Sequence, residues 1–508
     1  MTVYFARGFG AAALIISTAP MAFADVTAQD VWSDWKSYLT AAGYEVIGSE
    51  STSGGTLTIS DLTMSMAMPQ TAGSISINMG QLVLAGNNDG TVSVSMPATI
   101  PMRIAGEVEG EDSFDAEVSY TQSGHSLVVS GDPANMTSAY KAAQVDMTLS
   151  SLTVDDEQMP PGLARVSVTL TNMVSNTQMQ SGDMRSYTQQ GGADTLSYDL
   201  AFNDPESDDA GEFTGSLQGV GFQGSGKIPK DYDTTDFQSM LKSGFAFDGA
   251  FTYTASNTDM QGTGDGEKFA LTSSSQGGRL GVAMSAAHLA YDVSQIASAI
   301  SVTTSQLPFP IAMNMAEAGF SVDIPVAKSD EKQDFSFSIK LGDFTMSDMI
   351  WGMFDPGAVL PRDPATIALD LAGKAKILVD FFDPAVAEQL EHMSAPPGEL
   401  NALNINQLLI SAAGGELSGI GQFTFDNADL ETFDGMPAPT GEANLELSGA
   451  NGLIDKLIQM GLMSDQDAMG ARMMMGMMAV PGDAPDTLKS KIEINGQGHI
   501  SANGQRLK

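Results

Sequence analysis

The chain has 508 residues, which is long enough for a large buried core, and it contains 32 methionines but no cysteine. The missing cysteine excludes disulfide bonds, thiolate nucleophiles, thiolate zinc sites and iron–sulfur clusters. The formal net charge of −39 at pH 7 argues against nucleic acid as a partner, because phosphates require a basic surface.

The first 24 residues have the order of a secretory signal peptide. Arg7 is basic, residues 11–16 are apolar, and Ala22-Phe23-Ala24 has the small-x-small pattern that signal peptidase recognises. We therefore predict cleavage after Ala24 and a periplasmic location. Losing the single positive charge of Arg7 takes the net charge from −39 to −40. No later segment reaches the roughly 18 apolar residues of a membrane-spanning helix.

A helix is predicted at the start of the mature chain. Thr27 and Asp30 form a capping box, and Gly43 ends the helix. Apolar side chains recur on one face at spacings of three and four residues, and they include Trp32 and Trp35. The helix is predicted to pack against the rest of the protein as a plug. The alternative is an aromatic wall that faces a ligand.

Most of the remaining chain alternates apolar residues with Thr, Ser or Gly, as in residues 56–60 and 91–95, and this period of two indicates strands with one wet face. Hairpin breaks are predicted at residues 87–90, 123–124 and 191–192. Short connections favour an antiparallel meander. The predicted fold is mainly β, with one large curved antiparallel sheet (groove or open barrel-like), an N-terminal helix and a C-terminal helical pair. A closed barrel or a sandwich is the alternative.

Three octapeptides in this region resemble one another at unequal spacings. They occupy residues 57–64 (LTISDLTM), 147–154 (MTLSSLTV) and 339–346 (IKLGDFTM). The spacing is too irregular for a solenoid repeat. We interpret them as strands with equivalent roles in related halves.

A short helix is predicted at residues 235–243, and a second run of strands begins at Phe245. We therefore place a soft boundary near residue 230, between a β half at 25–230 and a second half at 231–508.

The C-terminal region is predicted to contain a helical pair, at residues 453–462 and 464–478, and a closing hairpin through 492–496. The second helix is rich in methionine, whose plastic side chain suits loosely specified apolar ligands. Met474 and Met478, together with Trp32 and Trp35, are the predicted contacts for an apolar ligand. A lid over the core is the alternative. Thioethers also bind copper(I), an interpretation that ranks below core or groove lining.

Several motifs imitate catalytic or metal sites without completing them. Residues 221–227 resemble the start of a phosphate-binding loop, but Ile228 and Pro229 follow where Ser or Thr should hold magnesium. Residues 257–262 resemble a calcium loop, but its twelfth position is Lys268. The histidines lack a second histidine at metal-ligand spacing; they are His125, His288, His392 and His499. We predict no catalytic residue, cofactor or metal site.

The combination of these features resembles a known family. Its parts are the export signal, the helix segment Val31-Trp32-Ser33-Asp34-Trp35, the Thr/Ser/Gly-rich strands and the closing segment at residues 498–505. The mature chain resembles domain-of-unknown-function family 2125, which comprises exported proteins of proteobacteria. It is more distantly similar to AsmA-like periplasmic groove proteins, which are associated with envelope lipid traffic. The resemblance implies a location and a fold, and it carries over no catalytic residue.

Three classes of function follow. The favoured class is a non-enzymatic envelope protein that binds a lipid or another apolar ligand on a Met- and Leu-lined sheet. The alternative is a structural or scaffold partner in an envelope protein assembly, which would expose an apolar patch. The least favoured class is a hydrolase with a dispersed carboxylate or histidine site.

Overall fold

The structure is a computed structural model that describes residues 25–68, 73–107, 113–204, 207–230, 237–383, 385–386 and 396–508. The predicted signal peptide at 1–24 and His392 lie outside the described residues.

Five helices and 27 strands make up the described elements. The helices are α1 Ala28–Ala41, α2 Phe237–Lys242, α3 Asp348–Phe354, α4 Ala450–Gln459 and α5 Asp465–Met478. The first strands are β1 Glu45–Ser53, β2 Thr56–Met68, β3 Gly73–Gly86, β4 Val92–Ser95, β5 Thr99–Glu107, β6 Ser113–Ser123, β7 Ser126–Asp132, β8 Asn135–Val154, β9 Glu157–Gln158, β10 Ala164–Gln180, β11 Met184–Asn203 and β12 Ala210–Pro229. The remaining strands are β13 Ala246–Tyr253, β14 Ala255–Gly264, β15 Glu267–Ser275, β16 Gly278–Met284, β17 His288–Thr304, β18 Ile311–Pro325, β19 Gln333–Met346, β20 Ala365–Ile377, β21 Gly398–Ala412, β22 Gly415–Asp426, β23 Ala438–Ser448, β24 Val480–Pro481, β25 Thr487–Ile494, β26 Ile500–Ala502 and β27 Gln505–Arg506.

All the described strands join one antiparallel sheet, which confirms the predicted fold class. Most strands pair with their neighbours in the chain, as short connections require. In two regions of the sheet, two shorter strands lie end to end in the position that one long strand would occupy. In the first region, β4 and β5 both pair with β3, and β6 and β7 both pair with β8. In the second, β13 and β14 both pair with β12, and β15 and β16 both pair with β17. The same arrangement therefore occurs in both halves of the chain.

The three similar octapeptides mark β-bulges. Asp61 in β2 and Asp343 in β19 have positive φ angles of 53° and 50°, and the strand register shifts across each of them. In the third octapeptide, Ser151 of β8 pairs with Glu117 while Leu149 pairs with Val118, so the register skips one residue. An extra residue in one strand shifts the alternation of side chains and bends the strand. The shared pattern therefore has a structural cause.

The pair Gly191-Gly192 is not a hairpin, and the prediction of a break there was wrong. Both glycines lie within β11. A Cβ atom at Gly191 would come within 2.3 Å of the Phe222 ring, and one at Gly192 within 2.4 Å of the Val220 carbonyl oxygen. The glycines are needed for close packing inside the sheet, a use of glycine that a turn pattern does not distinguish.

The other helix and hairpin predictions hold, with small shifts. The turns at residues 87–90 and 123–124 connect β3 to β4 and β6 to β7, and the closing hairpin joins β25 to β26. The C-terminal helical pair is α4 and α5, and α2 occupies part of the helix predicted at 235–243. The sequence reading missed α3, which lies between β19 and β20. The segments that imitate phosphate and calcium loops lie inside β12 and β14.

The packed core surrounds α1, which acts as the predicted plug. The Thr27 capping box is present. Buried residues of α1 pack against β2, β3, β4, β7 and β8; the core comprises Val26, Ala28, Val31, Trp32, Leu57, Ile59, Leu62, Met64, Leu82, Leu84, Val92, Val94, Val129 and Met136. This helix supplies the layer that covers the first strands.

The sheet curves around α1. Trp32 Nε1 donates a hydrogen bond to Glu50 Oε1 in β1 at 2.8 Å, whereas Asp34 forms a nearly buried ion pair with Arg185 in β11. Seven strand pairings separate β1 from β11, which is about 33 Å along a flat sheet. Because a helix is only about 10–12 Å across, the sheet must bend for one helix to touch both strands.

The hydrogen bonds from Trp32 and Lys36 of α1 to Glu50 of β1 are expected to stabilise the fold less in acid. Hydrogen bonds from Trp32 and Lys36 lower the pKa of Glu50 below its usual value. A carboxyl group with a lowered pKa in the folded state stabilises the fold above its unfolded pKa, and this contribution is lost as the pH falls through the folded pKa. We expect Glu50→Gln to cost at most about 1 kcal/mol at pH 7 and less at pH 3.5. Urea unfolding followed by tryptophan fluorescence measures the difference, and a cost independent of pH would contradict this account.

Candidate functional site on the apolar face of the sheet

Paired side chains form apolar rows across the strands. Residues that pair directly on neighbouring strands point to the same face of the sheet. One such set, here called the ten-strand row, runs from β12 to β23 and comprises Phe222, Phe251, Leu280, Val293, Phe320, Ile339, Leu369, Leu408, Gly419 and Leu445. With about 4.8 Å between strands, the row is about 43 Å long.

Parallel rows widen this apolar surface. One contains Phe337, Leu371, Ile405, Gly421, Ala443 and Ile492. A second contains Leu341, Ile367, Ile410, Leu417, Leu447 and Leu488. A third, nearer the N terminus, contains Val166, Leu200, Phe213, Met260, Leu271, Val302 and Ile311. The apolar face therefore extends over most of the strands from β10 onwards.

The opposite face of the same strands is polar. Between Phe337 and Ile339 lies Ser338, and its row comprises Asp292, Ser321, Ser338, Asp370 and Gln407. On this face Arg279 Nε and Asp292 Oδ2 are 2.9 Å apart. Each strand thus has one apolar and one hydrophilic side, as its alternating sequence predicts.

Within the described ranges, the apolar face is only partly covered outside the α1 core. Leu84 in the core is 0% exposed, whereas Leu280 in the ten-strand row is 40% exposed, and every other residue of that row is at least partly exposed. The accessible surface of the chain is 29596 Å², against about 18,000 Å² for a compact monomer of this mass. An apolar surface of this extent is typical of a binding surface.

One network of hydrogen-bonded polar groups joins β6 to β8. The Tyr140 hydroxyl donates to Gln122 Oε1 at 2.8 Å, and Gln122 Nε2 donates to the Pro97 carbonyl at 3.1 Å. Burial raises the pKa of Tyr140, so its hydroxyl stays neutral. This network has the features of a structural hydrogen-bond cluster, in which each group stabilises the next.

Among the side chains that the structure describes, the acidic and histidine groups do not gather into a reactive group. His288 Nδ1 lies 3.1 Å from Asp323 Oδ1 on the exposed end of two strands. The nearby Ser285 Oγ accepts hydrogen bonds from the backbone of Ala287 and His288, as in a turn. Within the described residues, no group of three or more His, Cys, Asp or Glu side chains is placed to hold a metal ion.

The predicted ligand contacts lie in two separate places. Trp32 is buried in the α1 core, and Trp35 packs against it. Met474 and Met478 are exposed on α5, where the Met478 carbonyl accepts a hydrogen bond from Ser490 Oγ of β25. The long apolar rows were missed by the sequence reading, because alternation reveals which residues are apolar but not which strands align them.

The fold and this face define a class, namely a single-sheet β protein whose curved sheet has one apolar face largely uncovered by protein. A family model described as an uncharacterised protein conserved in bacteria (DUF2125) matches residues 245–496. This match over residues 245–496 confirms the resemblance to the family that was found in the sequence. The matched segment begins just before β13 and contains all of the ten-strand row except Phe222.

Other comparisons add little. No curated protein matches the chain. BauA, the ferric preacinetobactin receptor from Acinetobacter baumannii, aligns over 91% of this chain and 79% of its own, with 8% identity and a TM-score of 0.13. A score this low carries no argument about fold. None of the helices in the described ranges is long and apolar enough to cross a membrane.

Two leucine substitutions compare how tightly side chains are packed in the α1 core and in the ten-strand row. We expect Leu84→Ala to cost about 2–5 kcal/mol in the free energy of unfolding, because it leaves a cavity in a packed site. Leu280→Ala should cost less than about 1 kcal/mol, since its side chain is already 40% exposed. Urea unfolding followed by circular dichroism measures both. Equal costs would show that the ten-strand row is packed as tightly as the α1 core.

Proposed function

We propose that this is a non-enzymatic envelope protein, exported to the periplasm by its signal peptide, that holds the acyl chain of a lipid against the apolar face of its sheet. The observation that carries the proposal is the ten-strand row, which offers about 43 Å of partly exposed Phe, Leu, Ile and Val side chains along one face.

The energetics favour a long apolar ligand. Moving apolar surface out of water contributes about 0.8 kcal/mol for each buried CH₂ group. An acyl chain gains this on every methylene that it lays along the row, and it covers protein side chains that are otherwise wet. A small polar ligand would gain little from the same surface, because the rows offer few hydrogen-bonding side chains.

Charge and location support the same proposal. The mature net charge of −40 disfavours unaided docking on anionic membrane surfaces. A carrier or holder that exposes a groove to single lipid molecules does not require such docking. The likeness to AsmA-like proteins and the periplasmic location stay predictions, and both agree with this role.

A structural role in an envelope assembly is the second candidate. The uncovered apolar face would then be an interface with another protein rather than with a lipid, and its extent is consistent with an interface. A hydrolase remains the least favoured class, since the described His288–Asp323 pair is exposed and the nearby Ser285 hydroxyl belongs to a turn.

The main test places a charge on each side of one strand. Phe251 belongs to the ten-strand row, and the adjacent Thr252 points to the opposite face. We expect Phe251→Asp to weaken binding of a fluorescent fatty acid by at least about tenfold, because the charge must be buried beneath the acyl chain. Thr252→Asp is the matched control and should change the affinity less than twofold. Equal binding by both variants, with both folded by circular dichroism, would contradict the proposal.

The predicted contribution of α5 has its own test. If Met474 and Met478 contact the acyl chain, Met474→Asp combined with Met478→Asp should abolish retention of the fluorescent fatty acid and leave the sheet folded. Retention at the wild-type level would show that α5 does not contact the ligand, and it would leave the ten-strand row as the binding surface.

A further inference from the structure

Helix α5 presents a cluster of solvent-exposed methionines. Five of its side chains are between 44% and 72% exposed, namely Met469, Met473, Met474, Met477 and Met478. Ala468 is the buried residue of this helix. Methionine commonly fills irregular gaps in a core, but these five residues are exposed.

Other residues fix α5 in place. Arg472 donates to Asp455 Oδ1 at 2.6 Å and to Asn451 Oδ1 at 3.1 Å, which ties α5 to α4. Ser464 caps its N terminus by accepting a hydrogen bond from the backbone of Asp467. The exposed thioethers are therefore not needed to hold the helix.

The spacing of the last four methionines makes them neighbours. Met473 and Met477 are four residues apart, as are Met474 and Met478, while Met474 and Met477 are three apart. Side chains at these spacings have Cβ atoms about 5–6 Å apart on a helix surface. The methionine side chain has three rotatable bonds, so three or four sulfur atoms can reach one central point.

We propose that these four methionines form a binding site for Cu(I). Neutral thioether sulfur is a soft ligand that selects Cu(I) among biological metals. The four side chains lie in the last turns of α5, where the helix dipole favours a cation, and the last turn has no basic residue that would occupy this position. The exposure of these side chains thus favours the metal interpretation that the sequence reading ranked low. The ion binds as Cu(I) and no electron transfer is involved.

Leucine substitutions test the site without changing its apolar character. The quadruple variant Met473→Leu, Met474→Leu, Met477→Leu and Met478→Leu keeps the side-chain volume and helix propensity but removes the sulfur atoms. The matched control is Met349→Leu with Met353→Leu on α3, two exposed methionines that are also four residues apart. The mature chain is titrated anaerobically with Cu(I) against bicinchoninate, and with Ag(I) in nitrate buffer as a soft, redox-inert probe.

We expect the wild type and the α3 control to bind one Cu(I) per chain and the quadruple variant to bind it at least about tenfold more weakly. Phe251→Asp, which lies on β13 outside the metal site, should bind Cu(I) as the wild type does even where it loses fatty-acid binding, so failure of the metal site and failure of the lipid proposal are distinguishable. The proposal is overturned if the wild type binds neither Cu(I) nor Ag(I), or if the quadruple variant, folded by circular dichroism, binds as tightly as the wild type.

Discussion

The structure depends on one constraint: a single sheet has two faces, and the part of the chain that the structure describes supplies a covering layer for only part of one. Antiparallel pairing in register gathers the apolar residues of successive strands on the same side. Helix α1 covers that side at the first strands, where Leu57, Ile59 and Leu84 are fully buried. From β12 to β23 the ten-strand row stays partly exposed. Backbone pairing holds these strands together. Among the described residues, α4 packs against β22 near one end of this stretch, and much of the apolar face stays accessible to a ligand.

The bulges and glycines adapt the long strands to this architecture. Asp61 and Asp343 place a left-handed residue in the middle of a strand, where the pairing slips and the strand bends. Gly191 and Gly192 of β11 allow β10 and β12 to approach closely on either side. The bends agree with a sheet that wraps around α1, as the contacts of Asp34 with Arg185 and of Trp32 with Glu50 require.

Much of the fold could be predicted from the sequence because its local signals are strong. The Thr27–Asp30 capping box, the alternating strands and the Ser464 helix start all act over a few residues. The prediction of a break at Gly191-Gly192 was wrong because glycine is required both in tight turns and where strands pack closely, and the sequence does not distinguish the two. The ten-strand row could not be predicted, since it depends on how Phe251 and Leu280, or Leu369 and Leu408, align across strands. Likewise, methionines in a helix look the same in sequence whether the helix is buried or, like α5, exposed.

The central claim is that the uncovered apolar face carries a lipid, and native mass spectrometry of the mature protein tests it most directly. The protein is isolated gently from the periplasm of its own host, so that it keeps what it binds there. The account predicts a discrete added mass that solvent extraction releases as a lipid. A bare protein mass, with the same mass before and after extraction, would contradict the lipid role and favour a protein partner on this face.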